Sequence, residues 1–265
     1  MALFKKSEKA EMKEREDGLT DYDIYVMNKN ERMFYIILAY VVIFIVGYVF
    51  YENIILAALL GLLAFKFPKM RTGQIIKSRK NALSIQFKDW LYSLSSSMSA
   101  GRSIEMAFKE SYKDLEIIYT NPETPIMKEL QHMIRRLEMN ETVEDVVHEF
   151  AERTHIEDIM NFADVIKISK RSGGNLVEVI RSTSNVIGDK IETKADIETT
   201  ISGKKFESRI LCCMPVVMVA ILTATSYDYM EKVFTTLIGH VVMTISIVMF
   251  VAAFFIGEKI MDIEV

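Results

Sequence analysis

The stretch from residue 170 to residue 209 reads KRSGGNLVEVIRSTSNVIGDKIETKADIETTISGKKFESR. Gly173 and Gly174 can adopt the positive φ angles that close a helix, and Asn175 can cap the helix that follows. After this turn, apolar residues recur at helical spacing: Leu176, Val179, Ile180 and Ile187. Charged residues then continue as far as Arg209, where the uncharged run 210–227 begins. The stretch predicts a turn and one long helix that leads from water into a membrane.

Composition separates this chain from several protein classes. Of its 265 residues, 50% are hydrophobic and 26% charged, and the two kinds are segregated along the chain, as in a membrane protein with a soluble part. The net charge of −4 leaves no basic field for nucleic acid, so no DNA or RNA partner is expected. The two cysteines, Cys212 and Cys213, are adjacent within an apolar run. We interpret them as packing residues, since neighbours form neither a disulfide framework nor a zinc site.

Four apolar runs predict two transmembrane hairpins, at residues 33–67 and 210–256. Basic residues flank one side of these runs: Lys66, Lys69, Arg71, Lys77, Arg79, Lys80, Lys204, Lys205 and Arg209. By the positive-inside rule that side is cytoplasmic. We therefore expect a multi-pass protein of the inner or plasma membrane with both termini in the cytoplasm.

Two tails flank the hairpins. The N-terminal tail, residues 1–32, is charged and lacks the apolar core of a cleavable signal peptide. It is expected to form either a short charged helix or a loosely ordered segment, because nothing apolar anchors it. The C-terminal tail comprises residues 257–265. Both tails are expected in the cytoplasm.

Two local features of the apolar runs bear on helix packing. Ala57, Gly61 and Ala64 lie on roughly one helix face and would permit close helix contact in lipid. Pro215 lies inside the third run and should bend it or leave a carbonyl unpaired. It is interpreted either as a hinge between a cytoplasmic lever and the membrane or as a tolerated kink.

Residues 68–209 are predicted to form one cytoplasmic domain. Helical periodicity runs through this region without strand-like alternation. Three apolar stripes stand out: Ile126, Leu130, Met133 and Leu137; Val143, Val146, Val147 and Phe150; Ile156, Ile159, Met160, Ala163 and Ile166. Polar breaks divide the region into about six helices with short connections. The predicted fold class is therefore all-α, an antiparallel helical bundle flanked by the two transmembrane hairpins.

Three of the breaks share one pattern. They begin at Gly101, Asn140 and Gly174, residue types that tolerate the left-handed conformation, and a polar capping residue and an acidic residue follow. Thr142 and Asp145 also form a capping-box-like pair. The pattern indicates either turns with a functional role or simply well-made helical hairpins.

Two of these turns resemble those of the F domain of type II secretion and type IV pilus platform proteins. Residues 99–108, SAGRSIEMAF, are similar to the family's first turn, and residues 172–180, SGGNLVEVI, resemble its Gly-Gly-Asn-Leu turn before a long helix. The resemblance covers about residues 85–225. The layout, a single copy of the domain between two hairpins, is similar to that of Tad (tight adherence, Flp pilus) platform proteins. The Gly-Gly-Asn-Leu motif favours the TadB-like over the TadC-like paralogue.

The resemblance implies an integral membrane platform that is not an enzyme and has no cofactor or metal. Its implied partners are a cytoplasmic hexameric ATPase, pilin subunits, a paralogous platform protein and membrane lipid, and it is expected to form homo- or hetero-oligomers. The expected work is to couple the ATPase to pilin movement. The residues predicted to contact a partner or another copy are Gly101, Ser103, Arg171, Gly173, Gly174, Asn175 and Glu178.

Two alternatives from other classes stay open. The motifs Glu129-Leu130-Gln131-His132 and Glu152-Arg153-Thr154-His155 are both Glu-x-x-His, as in di-iron helical bundles, so a membrane metalloenzyme is one alternative. The competing interpretation makes these side chains solvated surface residues. A membrane signalling scaffold is the other alternative. No phosphate-binding loop is present, so nucleotide energy is expected to come from a partner.

Overall fold

The computed structural model describes residues 21–25, 27–172 and 176–261. Every regular element in these ranges is helical, which confirms the predicted all-α fold class. The chain divides into two compact units. The bundle unit comprises Met1–Asn28 and Arg71–Thr193, and the membrane unit comprises Lys29–Met70 and Lys194–Val265. The predicted domain limits at residues 68 and 209 stay predictions.

Short turns connect the helices. In chain order the described helices are α1 (Lys29–Tyr51), α2 (Ile54–Gly61), α3 (Phe67–Ser99), α4 (Ile104–Ile118), α5 (Pro125–Glu138), α6 (Val143–Thr154), α7 (Glu157–Ser172), α8 (Leu176–Thr225), α9 (Tyr227–Thr235) and α10 (Leu237–Met261). A 3₁₀ segment, Leu62–Lys66, joins α2 to α3. Within the described residues, α3 to α8 contribute to the bundle unit, in agreement with the prediction of about six helices.

The turns of the bundle unit follow from local residue chemistry. Gly101 has a φ of 83° after α3, and the Ser103 side chain accepts a hydrogen bond from the Met106 amide at the start of α4. Asn140 has a φ of 65°, and Thr142 caps α6 through the Asp145 amide. The predicted turn geometry is therefore confirmed at these two breaks.

An aromatic cluster fills the centre of the bundle unit. Its members are fully buried: Phe87, Trp90, Phe108, Phe150 and Phe162. The ring centroids of Trp90 and Phe108 lie 5.2 Å apart, and those of Phe87 and Phe162 lie 5.5 Å apart, both edge-on. All three predicted apolar stripes lie in or against this core. Burial of each such side chain stabilises the fold by about 1.5–3 kcal/mol, so packing specifies how these helices associate.

Small residues bring α1 and α2 together in the membrane unit. A Cβ atom added to Gly61 would lie 2.5 Å from the Tyr40 ring, and one added to Gly47 would lie 3.1 Å from the Cα of Ala57. Ala57 and Ala64 are fully or almost fully buried. The predicted close contact along Ala57, Gly61 and Ala64 is confirmed.

Three described helices are long and apolar enough to cross a membrane: Lys29–Tyr51, Leu176–Thr225 and Leu237–Ile260. The run predicted as the second span instead forms the eight-residue helix α2 and the 3₁₀ segment before α3 begins. Pro68 lies in the first turn of α3, where its missing N–H needs no helical partner. The four-span layout stays a prediction.

The α1–α2 turn lies close to the segment that follows α8. The Tyr227 hydroxyl donates to Glu52 Oε2 at 3.2 Å, and the hydroxyls of Tyr51 and Thr244 are 2.7 Å apart. Phe50, Met230 and Met243 form a second buried cluster here. The α1–α2 turn and the segment that follows α8, both predicted to lie outside the cell, therefore lie at the same end of the membrane unit.

Helix α8 extends over 50 residues without interruption. At 1.5 Å per residue it is about 75 Å long. It passes through Pro215, which cannot donate to the carbonyl of Leu211. Helix α8 therefore belongs to both units, as the opening stretch predicts, while the hinge role of Pro215 stays a prediction.

Candidate functional site

Exposed residues lie next to both turns that carry the family resemblance. Gly101 and Ser103 are exposed between α3 and α4, and Arg171 is exposed at the end of α7. Gly173, Gly174 and Asn175 lie outside the described residues. Glu178, in the first turn of α8, is exposed.

A groove joins the end of α3 to the start of α8. It has a volume of about 510 Å³, and its lining residues are Ser99, Val177, Glu178, Arg181, Ser182 and Asn185. We call it the α3–α8 groove. Ser99 is two residues before Gly101, so the structure brings the flank of the first turn beside the helix that follows the second. Of the predicted contact residues, Glu178 lines this groove, whereas Gly101, Ser103 and Arg171 do not.

The buried face of α8 decides which side chains reach the groove. Ile180, Ser184 and Ile187 are buried, whereas Glu178, Arg181 and Asn185 are exposed. Glu178 and Arg181 are three residues apart and lie on one exposed face. Packing of α8 therefore places one carboxylate and one guanidinium in the same groove.

The chemistry of the α3–α8 groove suits recognition of another protein. In the described part of the chain, neither Glu178 nor Arg181 has an ion-pair partner. Two hydroxyls and one amide, from Ser99, Ser182 and Asn185, add hydrogen-bonding capacity. The groove can thus receive a basic and an acidic side chain at once.

A second polar site lies inside the bundle unit and was not predicted. Both carboxylate oxygens of Glu129 accept hydrogen bonds from the Arg153 guanidinium, at 2.9 Å and 2.6 Å. Arg153 Nε also donates to Glu149 Oε1 at 2.5 Å. Burial alone would lower the pKa of Arg153, but hydrogen bonds and charge from the two carboxylates outweigh it and raise that pKa. The site is a buried Glu129–Arg153 ion pair, which Glu149 joins from a partly exposed position.

This pair corrects the interpretation of the Glu-x-x-His motifs. Glu129 is only 3% exposed, so it is not a solvated surface residue. Its carboxylate is occupied by Arg153 rather than directed at a metal, while Glu152 and His155 are exposed. Within the described ranges no group of three or more His, Cys, Asp or Glu side chains could hold a metal ion.

The sequence contained a signal for this pair. Glu129 is three residues after Ile126 and four before Met133, so it lies on the apolar stripe of α5. Arg153 is three residues after Phe150 on the buried face of α6. Charged residues on two facing apolar stripes predict a buried pair, because a lone buried charge is costly.

The N-terminal tail also departs from expectation. Tyr22 is 8% exposed and packs in the core, and its hydroxyl donates to Glu129 Oε1 at 3.0 Å. Burial, followed by the charge of Glu129 and this hydrogen bond, raises the pKa of Tyr22 well above its usual value. The expectation that nothing apolar anchors the tail is therefore wrong at Tyr22.

A comparison with protein-family models decides the family. Residues 90–224, half of the chain, match the model described as type II secretion system (T2SS), protein F. The chain belongs to this protein F family. The matched region of this family member begins at the buried Trp90, includes both signature turns and extends through α8 to Ala224.

Membership assigns a general role. Protein F family members are platform proteins of type II secretion or type IV pilus-like machines, and the apolar helices agree with an inner-membrane location. Comparison with curated proteins and with solved structures gives no match for this chain.

Proposed function

We propose that this protein F family member is the membrane platform of a Tad (Flp) pilus machine, and that it couples a cytoplasmic hexameric ATPase to the movement of pilin subunits. The observation that carries the proposal is the continuity of α8. Its first turns line the α3–α8 groove, and the same helix continues as an apolar candidate span. A force applied at the groove can therefore reach the membrane through one hydrogen-bonded element.

The proposed topology has four spans and two cytoplasmic termini, with residues 68–209 in the cytoplasm and residues 33–67 and 210–256 in the membrane. The contact between Glu52 and Tyr227 supports it, because both residues belong to connections placed outside the cell. The basic residues of α3 and of the polar part of α8 support the same orientation, because the positive-inside rule places such residues in the cytoplasm.

The proposed partner surface is the α3–α8 groove together with the turns at Gly101 and Gly174. Its mixed charges support recognition of the ATPase or of a paralogous platform protein, since opposite charges steer and orient a partner. A homo- or hetero-oligomer and contact with pilin are parts of the same proposal.

Charge reversal in the groove tests the partner surface. Glu178→Arg and Arg181→Glu are each expected to reduce co-purification of the chain with the secretion ATPase of its own cells by about tenfold or more. Glu198→Arg is the matched control, because Glu198 is an exposed acidic residue of α8 outside the groove. Equal retention of the ATPase by all three variants would reject the groove as its contact.

The turn between α7 and α8 is tested in cells. Gly174→Val should abolish surface filaments while the protein still inserts into the membrane, because valine resists a positive φ. Filaments at the normal level in that strain would show that the turn does not matter. Replacement of the whole chain by an empty vector must abolish filaments or secretion, otherwise the platform role itself fails.

A further inference from the structure

A short N-terminal segment is docked on the bundle unit. We call residues 21–25, with the sequence DYDIY, the strap. The Tyr22 ring fills a position in the core, its amide donates to the Arg153 carbonyl at 3.2 Å, and its hydroxyl donates to Glu129. The Tyr22 hydroxyl thus adds a hydrogen bond to the buried Glu129–Arg153 ion pair.

The strap also contacts two basic residues of α3. Lys80 Nζ lies 2.6 Å from Asp23 Oδ1 and also donates to the His155 carbonyl at 3.3 Å. Arg79 lies over the Tyr25 ring, 4.4 Å from its centroid. The Asp23 side chain is 52% exposed. Exposed ion pairs contribute little, so the two buried rings of Tyr22 and Tyr25, each 8% exposed, are the main anchors of the strap.

Undocking of the strap need not break the buried ion pair. Arg153 donates to Glu129 and Glu149 through its own guanidinium, and neither carboxylate belongs to the strap. Water can hydrogen-bond to Glu129 in place of the Tyr22 hydroxyl once the Tyr22 ring has left the core. The strap is therefore suited to local opening while the rest of the bundle stays folded.

The strap is tied closely to the membrane unit. Helix α1, the first candidate span, begins at Lys29, four residues after Tyr25. Tyr22 is seven residues before Lys29, and a fully extended link of that length reaches about 25 Å at most. A larger displacement of the bundle from the start of α1 must pull the Tyr22 ring out of the core.

We propose that the strap is a releasable latch. When docked, it ties the start of the first membrane helix to the end of α6, and it must release during the working cycle of the platform. The latch is a third covalent connection between the units, beside α3 and α8. Its role in the cycle rests on the proposed function, but its docking does not.

Hydrogen exchange of the full-length protein in lipid nanodiscs tests docking. The Tyr22 amide, which donates to the Arg153 carbonyl, is expected to exchange at least about tenfold more slowly than in an unstructured peptide of the same sequence. Tyr22→Ala should remove this protection, and Tyr22→Phe, which keeps the ring and loses the hydroxyl, should remove part of it. Tyr92→Ala is the control, since Tyr92 is 75% exposed. Exchange as fast as the free peptide in the native protein would overturn the latch.

Cross-linking tests release. In a Cys212→Ser, Cys213→Ser background, Asp23→Cys and Lys80→Cys are joined in cells by a short permeant bis-maleimide. The joined protein should lose filament or secretion output, while either single-cysteine variant, treated in the same way, should keep it. Full output from the joined protein would overturn the latch. Loss of output in both treated single-cysteine variants would also overturn it, because damage without a cross-link would then explain the loss. Normal output from cells that lack the chain would reject the proposed function instead.

Discussion

Arg153 shows how one buried charge depends on its neighbours. Its side chain has no exposed surface, and its guanidinium is divided between Glu129 and Glu149. Removing one member of such a pair leaves the other charge buried without compensation, which costs more than the pair contributes.

Arg153→Ala is therefore expected to lower the free energy of unfolding by about 3–5 kcal/mol. Trp90, the single tryptophan of the chain, lies in the same core and reports unfolding by fluorescence during a denaturant titration. Arg181→Ala is the control and should change stability by less than about 0.5 kcal/mol, because Arg181 is exposed in the α3–α8 groove. Equal midpoints for the two variants would contradict the buried pair.

Two glycines should respond to alanine in opposite directions. Gly101 has a φ of 83° with open space around it, so Gly101→Ala should cost about 1 kcal/mol from backbone strain alone. Gly73 is helical and also has open space, so Gly73→Ala should stabilise α3 by up to about 1 kcal/mol. Thermal unfolding of the purified variants measures both changes. A shift of the same sign in both would show that φ does not govern the first turn.

At the scale of elements, the α1–α2 hairpin depends on the fit between a glycine and an aromatic ring. Gly61 lies against the Tyr40 ring, and Gly47 lies against the backbone of Ala57. Interfaces of this kind associate through close packing, because lipid supplies no hydrophobic driving force between helices.

Gly61→Val should destabilise the membrane unit by about 1–3 kcal/mol through overpacking. Adding Tyr40→Ala should restore part of that loss, because the smaller side chain makes room for the valine. Gly203→Val is the control, since nothing lies within 4 Å of a Cβ at Gly203. Thermal stability in detergent measures the cycle, and strictly additive effects of the two substitutions would contradict the contact.

At the scale of the whole molecule, the topology decides whether a cytoplasmic motor can reach the bundle unit. The exposed residues Asp228 and Glu141 lie on opposite predicted sides of the membrane. Their environments in an intact cell should therefore differ.

With Cys212 and Cys213 replaced by serine, Asp228→Cys should react with an impermeant maleimide in intact cells. Glu141→Cys should react only after the membrane is opened. Labelling of Glu141→Cys in intact cells would place the bundle outside and end the proposed coupling to an ATPase.

Much of the fold and part of the site could be predicted from the sequence, because they depend on residues close together in the chain. Helical spacing is enough to predict the helices, and Gly101 with Ser103 is enough to predict a turn, since φ preference and capping act within about four residues. The same reasoning identified α8 and its entry into the apolar run. The family was recognised from these local patterns.

The contacts that join distant residues were decided by the tertiary structure alone. Tyr22 and Glu129 are 107 residues apart, and Ser99 lines the same groove as Glu178 only because the fold brings the end of α3 near the start of α8. Whether a charge such as Glu129 is solvated or buried depends on what packs over it, and that information is absent from its own helix. Local residue chemistry is therefore enough to specify the helices and the turns at Gly101 and Asn140. Tertiary packing specifies which charges are paired, which stay available for a partner, and where Tyr22 binds.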